Sequence, residues 1–144
     1  MLNIALKEWK IVCDLLLEGR LALLLRKGGI SESGGPGVFE LEHQRFGLYP
    51  SFEHQRPELV KPAYRDRVQR LAEPKHVTFN GFAEVVTIWQ VAGRARFDQL
   101  NDLHCWSAAQ IDMRFNYKSE RPLYLVALRT YRLRDPKTVE THVD

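Results

Sequence analysis

Cysteine is scarce in this chain. Its 144 residues hold two, Cys13 and Cys105, far apart and without a CxxC pair. Each is flanked by large apolar residues, the setting of a buried reduced thiol rather than of a disulfide framework or a zinc site. Long apolar runs are absent too. The greasiest stretch, Leu15 to Leu25, is broken by Glu18, Gly19 and Arg20, and nothing approaches the ~18 residues of a membrane span. The first eight residues, MLNIALKE, carry no basic n-region and no small-residue cleavage site. These absences predict a soluble cytoplasmic protein with no membrane role. The chain also lacks GxxxxGK[ST], HExxH, GxSxG and any Cys/His zinc pattern. We therefore expect no metal and no cofactor.

Charge of one sign is likewise modest. The net charge is +3, too small to identify a nucleic-acid binder by itself. Of 21 basic residues 14 are Arg, the better fork for phosphates and carboxylates, although an Arg bias also follows from base composition or thermal adaptation. Composition is that of an ordinary globular domain, 44% hydrophobic and 27% charged.

What is present reads as an α+β chain. Asn3 can N-cap a helix in which Ile4, Trp9, Val12, Cys13, Leu16 and Leu17 recur at helical spacing, with Gly19 as C-cap. Arg20 to Arg26 reads as a buried strand; the competing reading pairs it with Lys10 to Leu17 as a hairpin. Gly28 to Gly37 holds five glycines, two serines and a proline, which predicts a loop. Val38–Leu41 and Phe46–Tyr49 look like short strands. Pro62 opens a predicted helix to about Ala72, with Tyr64, Val68 and Leu71 as its buried stripe. Val77–Phe79 and Phe82–Val91 read as two strands joined by a tight turn at Asn80-Gly81, with Val85, Thr87, Trp89 and Val91 on one face. Phe97, Leu100 and Leu103 suggest a short helix. Ser107-Ala108-Ala109-Gln110 is a capping box for another that turns Ile111 and Phe115 inward. Leu123–Leu133 is the clearest strand, apolar on both faces at first and basic later, hence central. We expect one domain over 1–136, a flexible tail over 137–144, and a mostly antiparallel sheet or small β-barrel with three or four short helices.

Three groups of residues invite chemistry. Successive glycines in Arg26-Lys27-Gly28-Gly29 can turn N–H groups inward as an anion nest beside two cations. The plain alternative is a solvated turn. Arg114, Arg129 and Arg132, interleaved with Tyr49, Tyr117 and Tyr131, suit phosphates and stacked bases; equally, the tyrosines can cap a core while the arginines pair with carboxylates. His54, Gln55 and His104 are candidate ligand contacts. His54 or His104 with Glu32 or Glu53 would be the acid–base set of a small hydrolytic or metal-dependent enzyme, but such histidines are commonly hydrogen-bonded structural residues.

Several segments in order also carry a family resemblance: Leu6-Lys7-Glu8-Trp9, Glu18-Gly19-Arg20 through Leu23 to Ile30, Tyr49-Pro50, Glu53-His54-Gln55, Leu103 to Ser107, Arg114 to Tyr117, and Leu123-Tyr124 through Leu128-Arg129 to Leu133. The set resembles a bacterial family known as domain of unknown function 1802, over nearly the whole chain to about Pro136. The resemblance implies no established activity. It implies a DNA-related context, because some members accompany a restriction-type nuclease domain. The order of β-runs is also loosely similar to the small barrels of the PUA and ASCH type, which bind RNA or modified nucleotides. Together these readings predict a nucleic-acid or nucleotide-binding module whose partner is DNA, RNA or a nucleotide. A small hydrolytic enzyme and a protein-interaction module stand as rivals, the latter docking a partner on the Gly-rich loop and the Pro62 helix.

Overall fold

The structure is a computed structural model and describes residues 4–27, 45–117, 119 and 122–141. Five strands form one sheet: β1 (Ala5–Trp9), β2 (Leu23–Lys27), β3 (Arg45–Ser51), β4 (His76–Gln90) and β5 (Leu123–Glu140), in the spatial order β1-β3-β4-β5-β2. The β1–β3 ladder is parallel; the β3–β4, β4–β5 and β5–β2 ladders are antiparallel. The helices are α1 (Lys10–Leu17), α2 (Arg94–Asp98) and α3 (Ala108–Asn116), with 3-10 turns at Pro57–Leu59, Pro62–Arg67 and Asn101–Leu103. The fold is thus α+β with a mixed, mostly antiparallel sheet.

The sheet curls into a half-barrel. β1 and β2 are its two edges, yet Arg26 of β2 and Glu8 of β1 form an ion pair at 2.7 Å. The inner face holds Leu24, Phe46, Leu48, Ala83, Val126 and Leu128, all buried. α1 supplies Ile11, Val12, Cys13, Leu15 and Leu16 to the same core, on one helical stripe.

Both ends of α1 are closed by specific contacts. Trp9 offers no side-chain cap; instead the Ile11 amide donates to Oε1 of Gln55 at 2.9 Å, from 44 positions away. At the other end Gly19 adopts φ +77°. Its amide donates to Leu16 O and that of Arg20 to Leu15 O, the Schellman pattern that requires a left-handed residue. β5 adds two donors at this end: Thr130 Oγ1 is a second donor to Leu16 O at 2.9 Å, and Arg132 Nε donates to Leu17 O at 3.0 Å.

Several expectations are revised. Residues 5–9 are strand, not the first turns of the helix: Ala5 and Lys7 are exposed while Leu6 and Glu8 are half-buried, a period of two that the wider helical stripe masks. Lys10–Leu17 is helix, which removes the hairpin alternative. The Pro62 helix stops after one 3-10 stretch at Arg67, and Leu71 is exposed, so its apolar stripe never forms. Asn80-Gly81 is no turn; β4 runs through it with a bulge between Phe79 and Gly81. Gly81 is needed for a different reason. A Cβ there would collide with the Leu17 side chain and the Tyr131 carbonyl, so its absence lets the end of α1 sit against the sheet. A second register shift between Val85 and Thr87 places Val85 opposite buried Leu128 but leaves Trp89 exposed, so the apolar residues of β4 do not share one face. Residues 137–140 continue β5 in register with Phe79 to His76 and are exposed. Val38–Leu41, Glu32 and the glycines 28, 29, 34, 35 and 37 lie outside the described residues.

Candidate nucleic-acid interface

The outer face of the sheet divides in two. Around the first half of β5, Leu123 and Leu125 are buried as well as Val126 and Leu128, so both faces are covered. Lys27, on the Leu23 and Leu25 side of β2, donates to the Arg114 carbonyl at 3.1 Å, which sets the end of α3 over that side. Beyond Leu128 the outer residues of β5 open to solvent: Arg129 and Tyr131 are exposed, while Thr130 between them turns inward to α1.

Cross-strand register builds a surface from this point. Tyr131 lies opposite Phe82, which lies opposite Gly47. Arg129 lies opposite Glu84, which lies opposite Arg45, and Arg45 Nε bonds Glu84 Oε2 at 2.8 Å. Lys7 is registered with Tyr49 on the neighbouring pair. The rings interlock. Phe82 and Tyr131 are stacked with centroids 4.9 Å apart, and Tyr49 meets Phe79 edge-on at 5.7 Å. The Lys7 ammonium sits 5.4 Å from the centre of Tyr49. Lys137 is the cross-strand partner of Phe79. Among the described residues this outer face carries the rings of Tyr49, Phe79 and Phe82, half-buried, and of exposed Tyr131, with the cations Lys7, Arg45, Arg129 and Lys137 and the Glu84 carboxylate that Arg45 holds.

The other sequence candidates have different settings. Arg26 is held by Glu8, and its Nε is buried without a partner among the described residues. Lys27 serves the C-terminal end of α3, next to Arg114. Gly28 and Gly29 lie outside the described residues. Arg26 pairs with Tyr124, five residues before Arg129 on β5, so roughly 17 Å of strand separates the basic turn from that arginine. The fold brings Lys27 to the Arg114 carbonyl and Arg26 to Glu8, and neither to Arg129 or Arg132. Arg132 faces inward as a cap on α1. Tyr117 is exposed just after α3.

Gln55 is buried and tied at both ends of its amide: Oε1 accepts from Ile11 and Nε2 donates to the Gln69 carbonyl at 2.7 Å. It is a structural clamp. His54 and Glu53 are exposed in the turn after β3. His104 is buried, stacked on Phe97 at 4.9 Å, and its Nδ1 accepts from the Trp106 amide at 3.1 Å. Burial, with the Lys61 ammonium nearby, lowers its pKa to about 4, so the ring is neutral at pH 7. Lys61 donates to the His104 carbonyl at 2.7 Å and to that of Asn101, and desolvation lowers its own pKa. Burial pushes the Cys105 thiol up to about 12 and that of Cys13 well above its usual value, so both are poor nucleophiles. Among the described residues no group of three or more His, Cys, Asp or Glu is placed to hold a metal. No helix among them is long and apolar enough to cross a membrane.

Sequence reasoning named Tyr49, Tyr131 and Arg129 but missed Lys7, Arg45, Phe79, Phe82 and Lys137. The signal was there in the alternation Phe82-Ala83-Glu84 against Arg129-Thr130-Tyr131. Reading Asn80-Gly81 as a turn cut β4 in two, and placing the domain end at 136 left Lys137 out.

Comparison with curated proteins and with solved structures returns no match. A protein-family model, described as "Domain of unknown function (DUF1802)", matches residues 5–144, and the chain belongs to that family.

Proposed function

We propose that this protein binds single-stranded nucleic acid on the open outer face of its sheet. The observation that carries the reading is the stack of half-buried Phe82 on exposed Tyr131, flanked by Tyr49–Phe79 and ringed by Lys7, Arg45, Arg129 and Lys137. Cross-strand aromatic pairs brace a sheet, and on its solvent side they also stay within reach of a ligand. Rings there offer π-faces for unpaired bases, at about 1–3 kcal/mol per stacked base, and the cations follow the phosphates. Duplex is disfavoured because its bases are already stacked and its edges lie in grooves that the broad face of a five-stranded sheet does not enter.

An anisotropy titration against single-stranded DNA and RNA dodecamers and the matching duplex tests the reading. Four phosphate contacts predict that log K falls with log salt at a slope of about −2.8, taking 0.7 per phosphate on single strands. Duplex of the same sequence should bind more weakly. Absence of binding to either single strand at low salt would sink the proposal.

The acid–base alternative is less well supported. His104 is enclosed and neutral, its Nδ1 is occupied, and His54 stands in an exposed turn.

A further inference from the structure

Trp89 is 50% exposed, and its indole has no ring contact or hydrogen bond among the described residues. A β-bulge puts it there. Val85 lies opposite inner Leu128, and alternation alone would send residues 87 and 89 inward after it. The extra residue between Val85 and Thr87 resets the count, so that Thr87 falls opposite Ala127 and Trp89 opposite Leu125. Ala127 and Leu125 share a side of β5 with Arg129 and Tyr131, so Trp89 stands on the outer face. Re-aiming a side chain is what bulges do beside functional sites.

Two exposed rings thus share one side of the paired β4 and β5. From Tyr131 to Leu125, the partner of Trp89, is six residues, or roughly 20 Å of strand. Between the rings the outer positions are Glu84 with Arg129 and Thr87 with Ala127. Arg129 is exposed, and the Glu84 carboxylate is taken up by Arg45. Beyond Trp89 stands Lys27, two residues on from Leu25, the β2 partner of Leu125; its ammonium holds the Arg114 carbonyl.

We propose that Trp89 is a second stacking post, and that the bound strand runs lengthwise from Tyr131 past Arg129 to Trp89; the inference rests on the sheet-face reading above. An indole offers a large π-face, and stacking on it tolerates every base. An exposed cation midway suits the phosphates in between. The span sets the length of the ligand: at about 3.4 Å per nucleotide of a stacked strand, roughly 20 Å takes about six nucleotides. Val86, at the bulge, is the only other exposed large apolar residue of β4, a smaller apolar patch than a protein contact needs.

The full chain is titrated with deoxythymidine oligomers of three and eight nucleotides, read by anisotropy and by tryptophan fluorescence. Trp9 and Trp106 pack edge-on at 5.3 Å and Trp106 is buried, so the exposed Trp89 dominates the response. The octamer should quench the emission. Trp89→Leu should remove the quench, leave the urea midpoint in place and weaken octamer binding about ten-fold, as for one lost stacked base. The trimer is too short to reach both rings and should bind at least about ten-fold more weakly than the octamer. Octamer binding that Tyr131→Ala weakens and Trp89→Leu leaves unchanged overturns the inference and keeps the sheet-face reading. No octamer binding at low salt overturns both. Emission that changes on dilution of the chain alone, and no longer does so in Trp89→Leu, assigns the indole to a contact between copies and also overturns the inference.

Discussion

The two halves of β5 share a partner strand and differ in nearly everything else. From Leu123 to Leu128 the strand lies between β2 and β4, with α1 on one side and the α3 end on the other, and its side chains are mostly buried. From Arg129 onward β2 has ended, and on the inner face Thr130 and Arg132 hold the end of α1. In the first half hydrophobic residues do structural work on both faces. In the second, the outer-face residues pair across strands, Tyr131 stacked on Phe82 and Arg45 bonded to Glu84. Under the proposed function the covered stretch reports on stability and the open one on binding.

The comparison can be broken by mutation. Leu125→Ala in the covered half should cost about 2–5 kcal/mol, by transfer and cavity terms together, read from urea midpoints at constant m-value. A loss under ~1 kcal/mol would mean that the outer side there is as open as at Tyr131.

Acid should act next, on the buried segment before α3. The folded pKa of His104 lies at about 4 against 6.5 unperturbed, so the unfolded chain binds more protons between those values. Stability is full above pH 6.5 and falls as pH drops toward 4, by on the order of 3 kcal/mol. His104→Asn, which keeps an acceptor but does not titrate, should flatten this slope in unfolding curves taken across that window.

Gly81→Ala probes the seam where α1 meets β4 and β5. The new methyl must displace the Leu17 side chain and the Tyr131 carbonyl, at roughly 1–3 kcal/mol. Thermal unfolding checks it, and an unchanged Tm would remove Gly81 from the account of why α1 seats there.

Tyr131→Ala should have the smallest effect on stability, under about 1 kcal/mol as expected for a surface change. Its effect on single-strand affinity should be about 10- to 100-fold, the worth of one stacked base. A large stability loss with unchanged affinity would reverse the roles assigned to the two halves.

Much of the fold was legible from local pattern. Leu23–Leu25 and Leu123–Leu128 read as buried strands because their residues are apolar on both sides. The Ser107 cap is present, its hydroxyl accepting from the Gln110 amide at 3.3 Å. The reciprocal half of the capping box is not needed, since the Ser107 amide donates to the Leu59 carbonyl. Asn80-Gly81 was misread because a turn dipeptide and a bulge with a close helix contact use the same residues. Gln55 looked like a ligand contact because its partners, Ile11 and Gln69, are 44 and 14 positions away.

The sequence by itself determined the family, the α+β character, the two buried thiols and an interior strand, because these depend on residue order, local periodicity and apolar content. Only the tertiary structure decided which cations and rings share a surface. Arg26, Arg114, Arg129 and Arg132 are alike in sequence, but their roles follow from what the curled sheet sets against each: Glu8 for Arg26, the carbonyls of α1 for Arg132, and open solvent beside Tyr131 for Arg129. That is long-range packing, and no local spacing encodes it.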